Sequence, residues 1–330
     1  MYIHWLDQLD HEQDHLVGGK GSNLGRLMRS GIPVPPGFCI SLQAYQDVAQ
    51  HLDFSSKSQH LLTGLNPEDF QQLASISGSL QALFLTSESV QDAWQEIIGA
   101  YVELGQQVGN PNTTVAVRSS ATAEDSPEHS FAGQHDSYLG VVGNQDLVEG
   151  VKKCWASLWN PQAIHYRHTR GIEHGQALMA VVIQQLIPAT CAGVLFTANP
   201  VTGDRSEMLV NSSWGLGEAV VSGAVEPDTF VVDKTSGSEK DFSMGSKEML
   251  IEAVYKRGTR ESSVLPDLRN QRSLTDQQLA QLVEVARIIE DIYQTPQDIE
   301  WAYNSGNLYI LQSRPITALK VSFRHTLKLS

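Results

Sequence analysis

The sequence predicts a mixed α/β (α+β) fold with two lobes. Along the chain the apolar residues change between a helical period and the alternating period of strands, which is typical of domains that combine helices with sheets. The 330 residues, 41% of them hydrophobic, suffice for about two domains or one large domain with two lobes. We therefore expect two lobes, 1–180 and 181–318, followed by a tail of residues 319–330.

Two helices are indicated by apolar residues that recur at helical spacing. Thr275 and Gln278 fit a capping box at the start of the second helix. The apolar positions are Trp94, Ile97, Ile98, Tyr101 and Leu104 in the first helix, and Leu279, Leu282, Val283, Ala286 and Ile289 in the second.

Segments rich in β-branched and aromatic residues predict strands, most of them in the second half of the chain. Residues 55–78 are polar and weakly patterned, and residues 235–246 are loop-like with alternating Gly, Ser and Lys, so we expect both to be surface segments. The predicted strands are 114–118, 137–141, 177–187, 190–197, 207–213, 229–233 and the two strands of a hairpin over 298–315.

The composition excludes several classes of partner. A net charge of -14 argues against non-specific binding to nucleic acid or to an anionic membrane surface. The three cysteines are far apart and form no CxxC, so neither a disulfide framework nor a zinc site is indicated. The N-terminus lacks the features of a secretory signal, and the longest apolar run, 177–183, cannot span a bilayer. We expect a soluble cytoplasmic protein.

The hairpin DIEWAYNSGNLYILQSRP carries polar side chains at alternate positions. Asp298 and Glu300 share one side of their strand, as do Gln312 and Arg314 of the other. Such a face is either solvated and held by one ion pair, or a binding site.

The turn of the hairpin decides whether the two polar pairs meet. A two-residue loop at 305–306 would set Glu300 opposite Leu311, whereas a three-residue loop at 305–307 sets it opposite Gln312. We expect the three-residue loop, which also sets the aspartate opposite the arginine.

The stretch VGGKGSNLGRLMRSGIPVPPGFCI combines paired glycines, Lys20 and a short apolar helix that Gly31 and Pro33 terminate. Glycines let backbone N–H groups approach a phosphate, and a lysine supplies a point charge. A Walker A loop is excluded because Asp14 stands five positions before Gly19, and the glycine spacing is not GxGxxG. A plain turn before a helix is the alternative.

The stretch TVAVRSSATAEDSPEHSFAGQHDSYLG places Arg118 at a strand end, before two hydroxyls and a long loop. An arginine there suits bidentate contact with a phosphate, and the loop could close as a lid. The alternative is an ordinary surface loop with an ion-paired arginine.

A third segment joins Thr197, Asn199 and Pro200 to a glycine-rich turn that ends in Glu218. The apolar strand before it could present backbone groups and Gln184 to a purine edge. Core packing explains that strand equally well.

Together these pieces resemble the N-terminal ATP-binding domain of the phosphoenolpyruvate synthase, pyruvate phosphate dikinase and rifampicin phosphotransferase family. The resemblance covers nearly the whole chain, in one order: GGKGSNLG, VPPGF, VRSSATAEDSPEHSFAGQHDSYL, VLFTANPVTGD, WGLGEAVVSG, DIEWAY and LQSRPIT. It implies an ATP-grasp fold in which the nucleotide cleft, holding MgATP, lies between the two lobes.

Carried over by position, the resemblance gives Lys20 and Arg118 catalytic roles at the phosphates. Gly133 and Gln134 would belong to a lid over the phosphates, and Gln184 would lie beside the adenine.

The same resemblance assigns the hairpin to a metal and to phosphate. Glu300 and Gln312 match positions that hold Mg²⁺, which needs oxygen ligands and keeps several waters. Arg314 matches a catalytic arginine at the phosphates, Asp298 would be a further carboxylate on the metal side, and Glu218 would face the nucleotide.

The family cleaves ATP to AMP and phosphate and passes a phosphoryl group to a histidine on a separate domain. We expect that phosphohistidine domain to be supplied in cis or in trans, because its signature does not follow Pro315. His129 and His135 in the loop and His325 in the tail are weak candidates for the acceptor. The predicted function is therefore an ATP-dependent phosphotransferase domain, with a non-catalytic nucleotide-binding module or an ATP-grasp ligase releasing ADP as alternatives.

Overall fold

The computed structural model describes residues 1–87, 91–121, 125–126, 129–130, 137–256 and 258–316. The described residues form two compact units. The first unit contains residues from 1–31, 35–186 and 254–259, and the second contains residues from 32–34, 187–253 and 260–316.

The α-helices of the described residues are α1 (Asp14–Arg29), α2 (Leu42–His51), α3 (Phe54–Leu62), α4 (Phe70–Leu85), α5 (Gln91–Gln107), α6 (Asn144–Ser157), α7 (Pro161–Thr169), α8 (Glu218–Val221), α9 (Pro266–Arg269) and α10 (Asp276–Tyr293). Short 3₁₀ helices lie at His11–Gln13 and His174–Gln176.

The strands are β1 (Ile3–Trp5), β2 (Gly37–Ile40), β3 (Val115–Ala121), β4 (Asp125–Ser126), β5 (His129–Ser130), β6 (Ser137–Val141), β7 (Met179–Gln185), β8 (Cys191–Phe196), β9 (Glu207–Trp214), β10 (Asp228–Asp233), β11 (Glu239–Ser243), β12 (Met249–Val254), β13 (Gly258–Ser263), β14 (Gln297–Asn304) and β15 (Asn307–Pro315). The predicted mixture of helices and sheets is confirmed.

The first unit is built on a five-stranded antiparallel sheet in the order β1-β2-β7-β3-β6. One face packs against a large apolar core that includes Trp155 and Trp159. The predicted first helix is confirmed as α5, since Trp94, Ile97 and Tyr101 are buried in this core. Alternation along the strands leaves the other face of the sheet for α1.

The second unit contains a six-stranded antiparallel sheet in the order β11-β10-β9-β8-β14-β15. Helix α10 packs against its last two strands, β14 and β15. The predicted capping box is confirmed, because Thr275 Oγ1 accepts from the N–H of Gln278 at 3.2 Å. The Gln278 side chain in turn accepts from the N–H of Thr275 at 3.0 Å.

Of the two predicted surface segments, 55–78 is wrong, and 235–246 lies at the surface but contains a strand in place of the expected loop. Residues 55–78 contain most of α3 and half of α4, and Leu73 and Ile76 of α4 are buried in the core. Residues 235–246 contain β11, which lies at the edge of its sheet. Its side chains are mostly exposed, so this edge strand has no apolar alternation to mark it.

The predicted strands lie at β3, β6, β7, β8, β9 and β10, with ends shifted by up to three residues. The chain passes from the first unit to the second between Leu186 and Ile187, after β7. Residue 180, the predicted lobe boundary, lies inside that strand.

The three cysteines are free and buried, in agreement with the expected absence of a disulfide framework. In the part of the chain that the structure describes, every helix is too short or too polar to cross a bilayer.

A buried ion pair fixes the loop after β11 in the second unit. The side chains of Lys247 and Asp228 are fully buried, and the Lys247 ammonium donates to Asp228 Oδ1. The same carboxylate accepts from the N–H of Gly245 at 3.0 Å and from the N–H and Oγ of Ser273, both at 2.8 Å. Four donors around one buried carboxylate compensate its lost hydration.

We expect Lys247→Met to lower the free energy of unfolding by about 3–5 kcal/mol, because it leaves the Asp228 charge buried without its cation. Urea denaturation measures this change. The double variant Asp228→Asn with Lys247→Met should be less destabilised than Lys247→Met alone.

The matched control is Lys153→Met, which removes the exposed i,i+4 pair with Glu149 and should change stability by less than about 1 kcal/mol. Equal losses in the two single variants would show that the buried pair contributes no more than a surface pair.

Candidate functional site

The final hairpin turns through two residues, so the expected three-residue loop is wrong. Asn304 pairs with Asn307, and Ser305 and Gly306 between them have φ of 50° and 80°. Positive φ at both central residues is the conformation that a tight hairpin of this kind requires.

The predicted pairing of the polar residues is nevertheless confirmed. The register shifts between Glu300 and Trp301, because Trp301 pairs with Ile310 whereas Glu300 pairs with Gln312. Leu311 is the extra residue of this β-bulge. The bulge reverses the effect of the shorter turn and brings Asp298, Glu300, Gln312 and Arg314 to one face of the sheet.

The expected ion pair on this face is present. Arg314 Nε and Nη2 both bind Asp298 Oδ2, at 2.9 and 2.8 Å. Burial raises the pKa of the Asp298 carboxyl; Arg314 opposes this shift and the charge of Glu300 adds to it. This ion pair fits both the structural face and the binding site, and the Asp298 side chain, only 12% exposed, is less solvated than an ordinary surface carboxylate.

The donor atoms on this face suit Mg²⁺. Glu300 offers a carboxylate and the nearly buried Gln312 offers an amide oxygen, and hard oxygen donors are the ligands that Mg²⁺ takes. The charge of Glu300 adds to the rise in the pKa of Asp298, so the two carboxylates lie close enough to interact. Among the described residues no group of three His, Cys, Asp or Glu side chains could share a metal, so the site would rely on water or ligand oxygens.

Helix α8 lies against the same face of this sheet. A Cβ on Gly217, just before α8, would be 3.6 Å from the Cβ of Ala192. Ala192 pairs with Ala302, which lies on the same face of β14 as Glu300. Glu218 is the first residue of α8 and is exposed. Loss of hydration raises the pKa of its carboxyl, and the charge of Glu261 raises it further.

The polar residues after β8 serve the fold. Thr197 Oγ1 accepts from the N–H of Gln297 at 2.8 Å. Asn199 Oδ1 accepts from the N–H groups of Val201 and Thr202 at 3.0 and 3.3 Å. The Thr197 side chain thus links the end of β8 to the start of β14, and the Asn199 side chain closes the turn after β8.

In the first unit the glycine–lysine stretch belongs to α1, and a kink inside the helix takes the place of the turn that the alternative interpretation expects. Only Gly18 leaves the helical conformation, with φ of 68° and ψ of 176°. A Cβ there would lie 2.2 Å from the carbonyl oxygen of Ser120. Lys20 follows inside α1 and is half-buried.

Sequence reasoning missed the role of Ser120, which ties this kink to β3. Its Oγ, fully buried, donates to the carbonyl of Val17 at 2.8 Å and accepts from the N–H of Gly21 at 3.2 Å. The two bonds bracket Gly18 and fix the backbone that carries Lys20. No pattern in a single sequence marks such a long-range contact; only its place beside Arg118 hints at it.

Arg118 and Gln184 lie on the α1 face of the first sheet. Arg118 pairs with Val182, and Gln184 pairs with Ala116, on strands β3 and β7. Gln184 is 2% exposed, and within the described residues its Nε2 has no hydrogen-bond partner. A buried amide without a partner is a group that a ligand can satisfy. Gln184 belongs to the first unit, although the predicted boundary assigns it to the second lobe.

Gly133, Gln134, His135 and His325 lie outside the described residues, so the predicted lid stays a prediction. For His129 the structure describes the strand β5.

The fold and these residues define a two-unit α/β protein that presents cationic and amide groups on one sheet face and paired carboxylates on another. The family model for the pyruvate phosphate dikinase AMP/ATP-binding domain matches residues 14–328, and the chain belongs to that family.

Curated relatives agree with this assignment. The chain is 42% identical to a probable phosphoenolpyruvate synthase of Methanothermobacter thermautotrophicus over 96% of its own length and 46% of that protein. It is 39% identical to the phosphoenolpyruvate synthase of Pyrococcus furiosus, covering 97% of the chain and 44% of the relative. It is 39% identical to a rifampicin phosphotransferase of Streptomyces sviceus, covering 96% and 36%. The chain thus spans about half the length, or less, of these relatives.

We expect Gly18→Ala to destabilise the protein by at least about 3 kcal/mol, because it adds a backbone clash to a conformation that essentially only glycine adopts. Thermal or urea unfolding measures the loss.

Gly31→Ala is the matched control, since Gly31 also has positive φ, 77°, but a Cβ there meets nothing within 4 Å. That change should cost only about 1 kcal/mol. Similar losses for both variants would mean that the contact between Gly18 and Ser120 does not constrain the fold.

Proposed function

We propose that this chain is the ATP-binding part of a phosphotransferase of the phosphoenolpyruvate synthase type. It binds MgATP, and the complete reaction yields AMP, phosphate and a phosphohistidine on a separate domain or partner protein. Membership of the AMP/ATP-binding family and the names of the relatives support this proposal. The observation that carries it is the meeting of Glu300 with Gln312 beside Arg314.

In the first unit, Lys20 and Arg118 bind the phosphates and lower the energy of the developing charge. Ser120 holds the backbone before Lys20 in place, so the ammonium needs little rearrangement when the nucleotide binds. Gln184 offers its buried amide to the adenine edge. Gly133 and Gln134 close over the phosphates.

In the second unit, Glu300 and Gln312 hold Mg²⁺, with Asp298 as a further carboxylate on the metal side. Mg²⁺ held by these side chains would neutralise part of the phosphate charge. Asp298 also orients Arg314 through two bonds to one oxygen, so the guanidinium is aligned before it meets a phosphate. Glu218 faces the nucleotide from α8.

Phosphoryl transfer depends mainly on positioning and charge neutralisation, which these side chains provide. ATP loses two phosphoryl groups and becomes AMP. One group passes to water, giving phosphate, and the other passes to a histidine nitrogen. A phosphohistidine domain, in cis or in trans, supplies that acceptor. A cytoplasmic location fits the proposed nucleotide chemistry and the free, buried cysteines.

Glu300→Gln should remove the Mg²⁺-dependent part of ATP binding, because an amide oxygen binds the cation more weakly than a carboxylate. Calorimetric titration with ATP, in Mg²⁺ and in EDTA, measures it. The wild type should bind ATP at least about tenfold tighter in Mg²⁺, and the variant equally in both.

Glu284→Gln is the control, since this exposed glutamate lies on α10, which packs on the opposite face of the sheet. If Glu300→Gln keeps the full effect of Mg²⁺ on ATP binding, the metal does not bind at this hairpin.

The nucleotide product separates the proposal from its alternatives. The chain, mixed with a separately produced histidine domain of a relative, should convert ATP to AMP and phosphate and label the histidine. If the product is ADP, the protein is a ligase. If it binds MgATP without turnover, it is a nucleotide-binding module.

A further inference from the structure

The first unit contains a cavity that the proposed function does not use. Its volume is about 320 Å³, at the lower end of the range for small-molecule sites. It lies between α2, α3 and the segment 174–178, and its apolar lining includes Tyr45, Phe54, Trp159 and Leu178. A cavity with an aromatic floor favours a ligand with an apolar body.

His174 supplies a hydrogen-bond donor in this lining. Arg167 Nε donates to His174 Nδ1 at 3.2 Å, so the proton of the neutral ring is on Nε2. Burial, Arg167 and His168 together lower the pKa of His174 to about 4, which keeps the ring neutral at pH 7. None of the described residues accepts a hydrogen bond from Nε2.

Arg167 lies behind His174 as a buried cation. The residue is 2% exposed, its Nη2 donates to the carbonyl of Leu158 at 2.9 Å, and its guanidinium lies 5.0 Å from the ring centre of Trp159. No carboxylate in the described residues pairs with it. A buried cation without a counter-ion is costly, and it favours an anion nearby.

The charged groups around the ring are unequal. Arg167 and His168 face His174 from α7, and the acidic residues of the neighbourhood, Asp53 at the cavity and Glu173 before the 3₁₀ helix, are exposed. Exposed carboxylates are screened by water, whereas the buried guanidinium is not. The field at the inner end of the cavity is therefore positive.

We propose that this cavity binds a small carboxylate on an apolar body, with the carboxylate on His174 Nε2–H and the apolar part against the aromatic floor. The polarised N–H selects the anion, and the cavity volume limits its size. This site is separate from the residues assigned to ATP, and it would let the protein respond to a metabolite of that class.

Benzoate is the probe, and NMR of the His174 ring is the measurement. Benzoate should bind with a dissociation constant on the order of 1 mM and raise the pKa of His174 above its value of about 4. Benzyl alcohol, which has the ring without the charge, should bind at least about tenfold more weakly.

His174→Gln should weaken benzoate at least about tenfold, whereas His60→Gln, at an exposed position of α3 outside the lining, should leave the affinity unchanged. Ala177→Leu, which fills the cavity and leaves His174 in place, should also abolish binding, with thermal unfolding as the check on folding. The proposal would be overturned if benzoate at 20-fold its expected dissociation constant of about 1 mM caused no NMR shift of the His174 ring. It would also be overturned if benzyl alcohol bound as tightly as benzoate.

Discussion

The candidate metal face depends on one constraint, the extra residue Leu311 in β15. Strand side chains alternate, so a tight two-residue turn alone would place Glu300 opposite Leu311 and separate the carboxylate from Gln312. The bulge between Glu300 and Trp301 restores the alignment beyond it. The turn can then be short, with the apolar pairs next to it. Beyond the bulge, Asp298 still pairs with Arg314 and Glu300 with Gln312, on one face of the sheet.

The bulge also keeps the apolar side of the hairpin in place. Ile299, Trp301 and Tyr303 are buried on the side of α10, and Tyr303 donates from its hydroxyl to the carbonyl of Gln278 at 2.8 Å. Leu311 packs with the small apolar cluster around Ala302 on the other side. The same hairpin therefore contributes to the core with one face and presents the partly buried side chains of Asp298, Glu300 and Arg314 on the other.

In the first unit, a kink in α1 held by hydrogen bonds fixes the backbone before Lys20. Gly18 permits a break in α1, and Ser120 holds that break against β3 with two hydrogen bonds. Glycine is required because the Ser120 carbonyl occupies the space of a Cβ. A glycine within a helix lowers helix stability, and here that loss accompanies a backbone that is fixed before Lys20.

The sequence by itself determined the mixed fold, the helices with clear periodicity, most strands and membership of the AMP/ATP-binding family. It failed at α4, where Leu73, Ile76, Leu80 and Phe84 do recur at helical spacing but polar residues hide the pattern. Tertiary structure decided the bulge, the bonds of Ser120 and the uncompensated Arg167, because each depends on groups far apart in the chain. Local patterns report which face a residue occupies, whereas register and burial are fixed only when distant segments pack.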